Sequence, residues 1–141
     1  MDGLLLTVHT LAAAIWIGAG IYSSVSYPKH AANGTLRGVV AVDQKLGSIV
    51  IGTAIGVLLL SGIGLVLLSE TFDFTHVFVL VGVGVIVLSS ILESTIFGPA
   101  TKKSLEGEGP VELPRVFRWA LPIYVVVFAF TVWAMVTKLG V

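Results

Sequence analysis

IVIGTAIGVLLLSGIGLVLL, residues 49–68, runs for twenty residues without one charged side chain, and its only polar side chains are the hydroxyls of Thr53 and Ser61. A helix of that length rises about 30 Å, the thickness of the hydrocarbon layer of a bilayer. Working outward, three more stretches of the same character appear, and the chain is expected to form helices over about 4–27, 46–68, 75–97 and 114–138. Four spans account for most of the 141 residues and leave no room for a separate soluble domain. The expected architecture is therefore all-α: one integral membrane domain over 1–141, a four-transmembrane-helix up-and-down bundle. Met1-Asp2-Gly3 places no basic residue ahead of the first apolar run, so that run is expected to stay in the protein rather than be cleaved as a signal.

The composition agrees. Hydrophobic residues make up 56% of the chain and charged ones only 11%, with a mean hydropathy of +1.03, whereas a soluble domain keeps about 25% charge. Cysteine is absent, which excludes disulfides, thiolate-held metal and haem attached through a CxxCH motif, and leaves nitrogen and oxygen as metal ligands. Eight basic and eight acidic residues cancel, and the basic ones lie scattered in connections rather than in a patch, which argues against nucleic acid as a partner.

Charge placement sets the orientation. Lys29, Arg37, Lys45, Lys102, Lys103, Arg115 and Arg118 fall in or beside the 1–2 and 3–4 connections, and only Lys138 lies at the other end. The positive-inside rule makes those connections cytoplasmic and the bundle N-out and C-out, as a multi-pass protein of the cell membrane. The short 2–3 turn carries acid alone, Glu70 and Asp73.

Punctuation residues divide the spans. Pro28 with Asn33-Gly34 is expected to end the first helix and Gly98-Pro99 the third, with Asp73 or Thr75 capping the third helix at its start. Pro114 suits the first turn of the fourth helix, while Pro122 inside it frees a carbonyl one turn earlier and predicts a kink. Ser48, Gly52 and Gly56 recur every fourth residue along the second span and are expected to make a close helix contact, while Gly62, Gly64, Gly82 and Gly84 add thin places whose alternative reading is space for a flat ligand between helices. There is also an internal echo between 21–29 and 91–99, which would make the two halves parallel repeats.

Two histidines carry the functional expectation. In an up-and-down bundle the first and third helices run the same way, so His9 and His76 should lie near the same, outer, face of the membrane. Imidazole is a common metal ligand, and two on opposed helices can hold a haem iron from both sides, which suits electron transfer because no coordination position stays open. Ala12, Ala13 and Trp16 share the helix face of His9, and Val79, Leu80, Val83 and Val87 that of His76; Ala12, Ala13, Trp16 and Val83 are the expected walls of the cofactor site. The alternative is that both imidazoles hydrogen-bond water or a hydroxyl near the interface. His30, after Pro28-Lys29, reads as a solvated histidine. Glu93, the one carboxylate well inside a span, lies about 25 Å from His76 along the helix; it is expected to snorkel or to pair with Lys102, Arg115 or Arg118. Trp119 and Trp133 suit the two membrane interfaces, and Trp16 lies deeper.

The run His9-Thr10-Leu11-Ala12-Ala13-Ala14-Ile15-Trp16-Ile17-Gly18 resembles the first-helix pattern of the CopD and HemJ-like superfamily of four-helix integral membrane proteins, closest to its branch of uncharacterised predicted integral membrane proteins. The Pro28-Lys29-His30 segment, His76 early in the third helix and Phe117-Arg118 at the start of the fourth extend the likeness over the whole chain. The resemblance implies haem b held through His9. It departs from the HemJ-type oxidases at Val77 and Phe78, where those carry a lysine, and at Trp119-Ala120-Leu121-Pro122, where those carry Asn-Glu-x-Pro. Copper handling of the CopD kind would have to do without cysteine and with only Met1 and Met135 as soft ligands. The expected function is thus a haem-b bundle with His9 and His76 as axial ligands, transferring electrons to a membrane redox partner or within a homo-oligomer. Protoporphyrinogen oxidation, copper handling and a cofactor-free structural subunit of a larger membrane complex are the alternatives.

Overall fold

The structure is a computed structural model that describes residues 2–70, 73–106, 113, 115 and 117–137. Six α-helices follow one another: α1 (Asp2–Ala32), α2 (Leu36–Val42), α3 (Ser48–Leu67), α4 (Val77–Leu92), α5 (Gly98–Glu106) and α6 (Phe117–Val136). Two single π-helical turns, Asp43–Gly47 and Glu93–Phe97, weld α2 to α3 and α4 to α5, so that each pair forms one long rod. Four rods are long and apolar enough to cross a membrane: 3–32, 48–67, 77–103 and 117–134. The four-helix membrane bundle expected from hydropathy is the fold, and no strand occurs among the described residues.

The rods are longer than hydropathy alone suggests. Pro28 lies inside α1, which continues to Ala32, and the second rod starts at Leu36 instead of near 46. Gly98-Pro99 does not end the third helix. The π turn before it accounts for this: the Gly98 N–H bonds to the Glu93 carbonyl, five residues back, and Pro99 then enters a first turn of α5, where a missing donor costs little. Gly98 is required for that closure, since a Cβ there would lie 2.9 Å from the Glu93 carbonyl oxygen. At about 1.5 Å per residue α1 is roughly 45 Å long against about 30 Å of hydrocarbon, so the basic ends of the rods reach water.

The largest fully buried side chains among the described residues are at that wet end. Leu36 and Val40 are each 1% exposed and pack with Tyr27, Ala31 and Leu105, and Phe97, Phe117 and Ala120 form an adjoining cluster. Phe97 meets Phe117 edge-on with ring centroids 5.3 Å apart, and Tyr27 lies 6.3 Å from the same ring. Outside the membrane the hydrophobic effect drives such burial, whereas within lipid it gives helices no reason to associate and close contact must come from small residues. Accordingly the outward faces of the spans are large and apolar, with Leu60 73%, Leu80 56% and Val126 67% exposed. Trp119 (68%) and Trp133 (52%) also face outward, near opposite ends of α6, where an aromatic belt would place them.

α1 packs along α3 and α6, and α6 along α4. α3 and α4, though consecutive, do not pack along their length, which leaves a seam between them. Close approach of α1 to α3 occurs at Gly62 and Gly64, not along the Ser48/Gly52/Gly56 stripe. A Cβ on Gly62 would lie 3.1 Å from the His9 ring and one on Gly64 would lie 3.0 Å from Leu5, while Gly52 and Gly56 have nothing within 4 Å. The close contact expected at the stripe is found instead at Gly62 and Gly64, two of the places expected to leave space for a ligand. α6 runs unbroken across Pro122. The placement expected for Pro114 and the position of Lys138 lie outside the described residues.

Candidate functional site

His9 lies in the third turn of α1, and its ring is wedged against α3. Its Nδ1 is 3.1 Å from the Leu58 carbonyl and 3.0 Å from the Ser61 hydroxyl. A carbonyl only accepts, so Nδ1 carries the proton and donates, and the neutral ring keeps its lone pair on Nε2. Ser61 is fixed in turn by donating to the Val57 carbonyl at 2.6 Å. That is the arrangement of an imidazole ready to ligate a metal through Nε2, with its other nitrogen held by a backbone carbonyl. It is also the hydrogen bond to a neighbouring hydroxyl that the simpler reading of His9 expects. Thr7 and Thr10 take no part, since each donates to a carbonyl of its own helix.

His76 is placed differently. It is the N-cap residue of α4, and its ring turns back on the preceding loop, where the Asp73 N–H lies 2.9 Å from Nδ1 and the Asp73 carboxylate 3.1 Å from it. The expected cap by Asp73 or Thr75 becomes an Asx turn just ahead of the helix, in which Asp73 accepts from the Thr75 N–H at 2.7 Å and from the Thr75 hydroxyl. The Thr75 hydroxyl first, then its N–H, and to a lesser degree His76, hold the Asp73 carboxyl below the ordinary carboxylate range.

The two rings therefore hydrogen-bond to different parts of the chain, His9 to α3 and His76 to its own loop. Of the expected walls, Ala12 is buried, Ala13 half-buried, and Trp16 lines interior space; Val83 is 47% exposed on an outward face with Leu80 and Val87. The face of α4 expected to flank a porphyrin thus points outward instead. For haem, the donor chemistry of His9 fits an axial ligand; the Nδ1 of His76 is engaged by its own loop.

The interior space lies farther toward the basic end. A cleft of about 710 Å³ opens between α1, α3, α4 and α6, with Asp43, Glu93, Tyr27, Tyr124 and Trp16 in its walls. A smaller cavity of about 30 Å³ adjoins it between Trp16 and Tyr124. Each of the two carboxylates is the first residue of a π-helical turn. Tyr27 lies beside Asp43, whose Oδ2 is buried without a hydrogen-bond partner among the described residues. Among the described residues Glu93 forms no ion pair with Lys102, Arg115 or Arg118, and the one close acid–base contact is that of Asp73 with His76. His30 meets only Thr35, at 2.7 Å, near the exposed end of α1.

Hydropathy starts the second span near 46, which leaves Asp43 in a loop and gives no sign that it meets Tyr27. The echo between 21–29 and 91–99 held the signal: Ser23, Ser24 and Tyr27 align with Glu93, Ser94 and Phe97, and all six line the cleft.

In class, this is an all-α integral membrane bundle with a polar interior cleft. No protein-family model, curated protein or solved structure matches the chain.

Proposed function

We propose that the protein is a haem-b-binding bundle of the cell membrane that carries electrons, with His9 as an axial ligand through Nε2. The observation that carries this reading is the Leu58 carbonyl 3.1 Å from His9 Nδ1, which fixes the tautomer a haem ligand needs. Bound haem would supply a one-electron couple, tuned by its axial ligation and by the apolar surroundings. The chain's own contribution is to orient the imidazole from two helices at once and to keep water from it with Ala12 and the α3 backbone. His76, whose Nδ1 is engaged by its own loop, is the candidate second ligand. The distribution of Lys and Arg supports the N-out and C-out orientation, and so a site near the outer leaflet.

The test is an absorption spectrum of the protein purified in detergent and supplied with haemin, oxidised and then reduced with dithionite. A Soret band that shifts on reduction is expected in the wild type, to be lost in His9→Ala and kept in His76→Ala. Absence of any protein-bound Soret band refutes the proposal, and persistence of the band in His9→Ala removes His9 as the ligand.

A further inference from the structure

We propose that the cleft between α1, α3 and α4 is a binding site for an amphipathic organic cation, an ammonium-like charge on an apolar body. This inference uses neither His9 nor His76 and stands independently of the haem reading.

Size comes first. At about 710 Å³ the cleft is far larger than a bare ion needs and falls among small-molecule sites, which span roughly 300–1,000 Å³. A metal ion as the sole occupant is further disfavoured because no group of three or more His, Asp or Glu side chains converges among the described residues.

Charge gives the class. Asp43 and Glu93 line the cleft from opposite rods, and among the described residues no Lys, Arg or His lines it with them. Two carboxylates at the edge of a hydrocarbon layer are costly unless something of opposite charge is brought to them. The chain sets the Tyr27 phenol beside Asp43 and leaves Asp43 Oδ2 buried with no partner among the described residues. An incoming cation supplies the missing partner; an anionic ligand would be repelled.

The backbone points to the same place. Both π-helical turns lie on this cleft, and each begins with one of the two carboxylates. A π turn gives up regular hydrogen bonding for one extra residue, and such turns recur at functional sites. The rest of the wall suits an apolar body: Gly52 and Ile55 leave a smooth surface on α3, while Trp16 and Tyr124 offer ring faces on which a cation is also attracted.

The experiment titrates the full chain, purified in detergent, with tetraphenylphosphonium and with uncharged triphenylphosphine oxide, read by equilibrium dialysis. Saturable binding of the cation alone is expected. Affinity should fall about tenfold or more in Glu93→Gln and in Asp43→Asn, the scale of about 1.4 kcal/mol per decade, and should largely return in Glu93→Asp. Gly52→Phe, placed where no atom lies within 4 Å, should abolish binding by filling the cleft while touching neither carboxylate. It keeps the test decisive should a charge variant fail to fold. Equal binding of the neutral compound, unchanged affinity in both charge-neutralised variants, or no saturable binding at all overturns the proposal.

Discussion

Gly62→Ala should destabilise the bundle, while the same change at Gly52 should not. At Gly52 a new Cβ meets nothing within 4 Å, so only the backbone term remains, and alanine gains about 0.5–1 kcal/mol over glycine within a helix. At Gly62 the Cβ would lie 3.1 Å from His9 Cε1, a contact that pushes the ring off α3. The ring cannot yield freely, because its Nδ1 is tied to Leu58 and Ser61. Buried side-chain hydrogen bonds in membrane helices average about 0.6 kcal/mol each, and overpacking costs about 1–3 kcal/mol. The net expectation is a loss of about 1–2 kcal/mol at Gly62 after the backbone gain. Gly64→Ala should be near neutral, since its 3.0 Å neighbour is the mobile tip of Leu5. The assay is reversible unfolding in mixed micelles on addition of dodecyl sulfate, followed by far-UV circular dichroism. A double-mutant cycle with His9→Ala should return most of the loss, because it removes the obstructing ring. Equal effects at Gly52 and Gly62, or no coupling between Gly62 and His9, would refute the assignment of the α1–α3 contact to this level of the bundle.

Further expectations follow from the wet end and the loop. Leu36→Ala should cost about 2–5 kcal/mol as a core truncation, whereas Leu60→Ala, on a lipid-facing surface 73% exposed, should stay within about 0.5 kcal/mol; the same unfolding assay reads both. Gly98→Ala should disrupt the π turn through the 2.9 Å approach to the Glu93 carbonyl, lowering stability and, if the cleft binds a cation, weakening that binding as well. Asp73 should titrate below the ordinary carboxylate range when followed by carboxyl carbon chemical shifts, and Thr75→Val should move it back up. Because its pKa is depressed in the folded turn, the turn's order is fully present above the unfolded value and is lost as the pH falls through the folded one.

Hydropathy made the four spans legible, since nothing but a bilayer explains runs such as 49–68. It could not set their ends, because beyond the hydrocarbon the helices are held by packing of Leu36, Val40 and Phe97, and single residues of that kind carry no periodic signal. Gly98-Pro99 misled for a related reason. A glycine and a proline together ordinarily stop a helix, and only the extra residue of a π turn lets the chain continue through them. The Ser48/Gly52/Gly56 stripe shows the limit of reading small residues: their spacing reports that something comes near or that something is left open, and only the neighbours decide. His9 was legible as a residue of interest, but its partner was not, since which helix a ring leans on depends on the packing order of the rods.

The seam between α3 and α4 has a consequence for traffic. Were the proposed cation cleft to open through it, its doorway would face acyl chains, and partitioning into the bilayer would set the effective supply long before any contact with the walls is made. Greasy molecules would be concentrated at the threshold even when scarce in the surrounding water, and strongly hydrated ones would be turned away without any gate having to move.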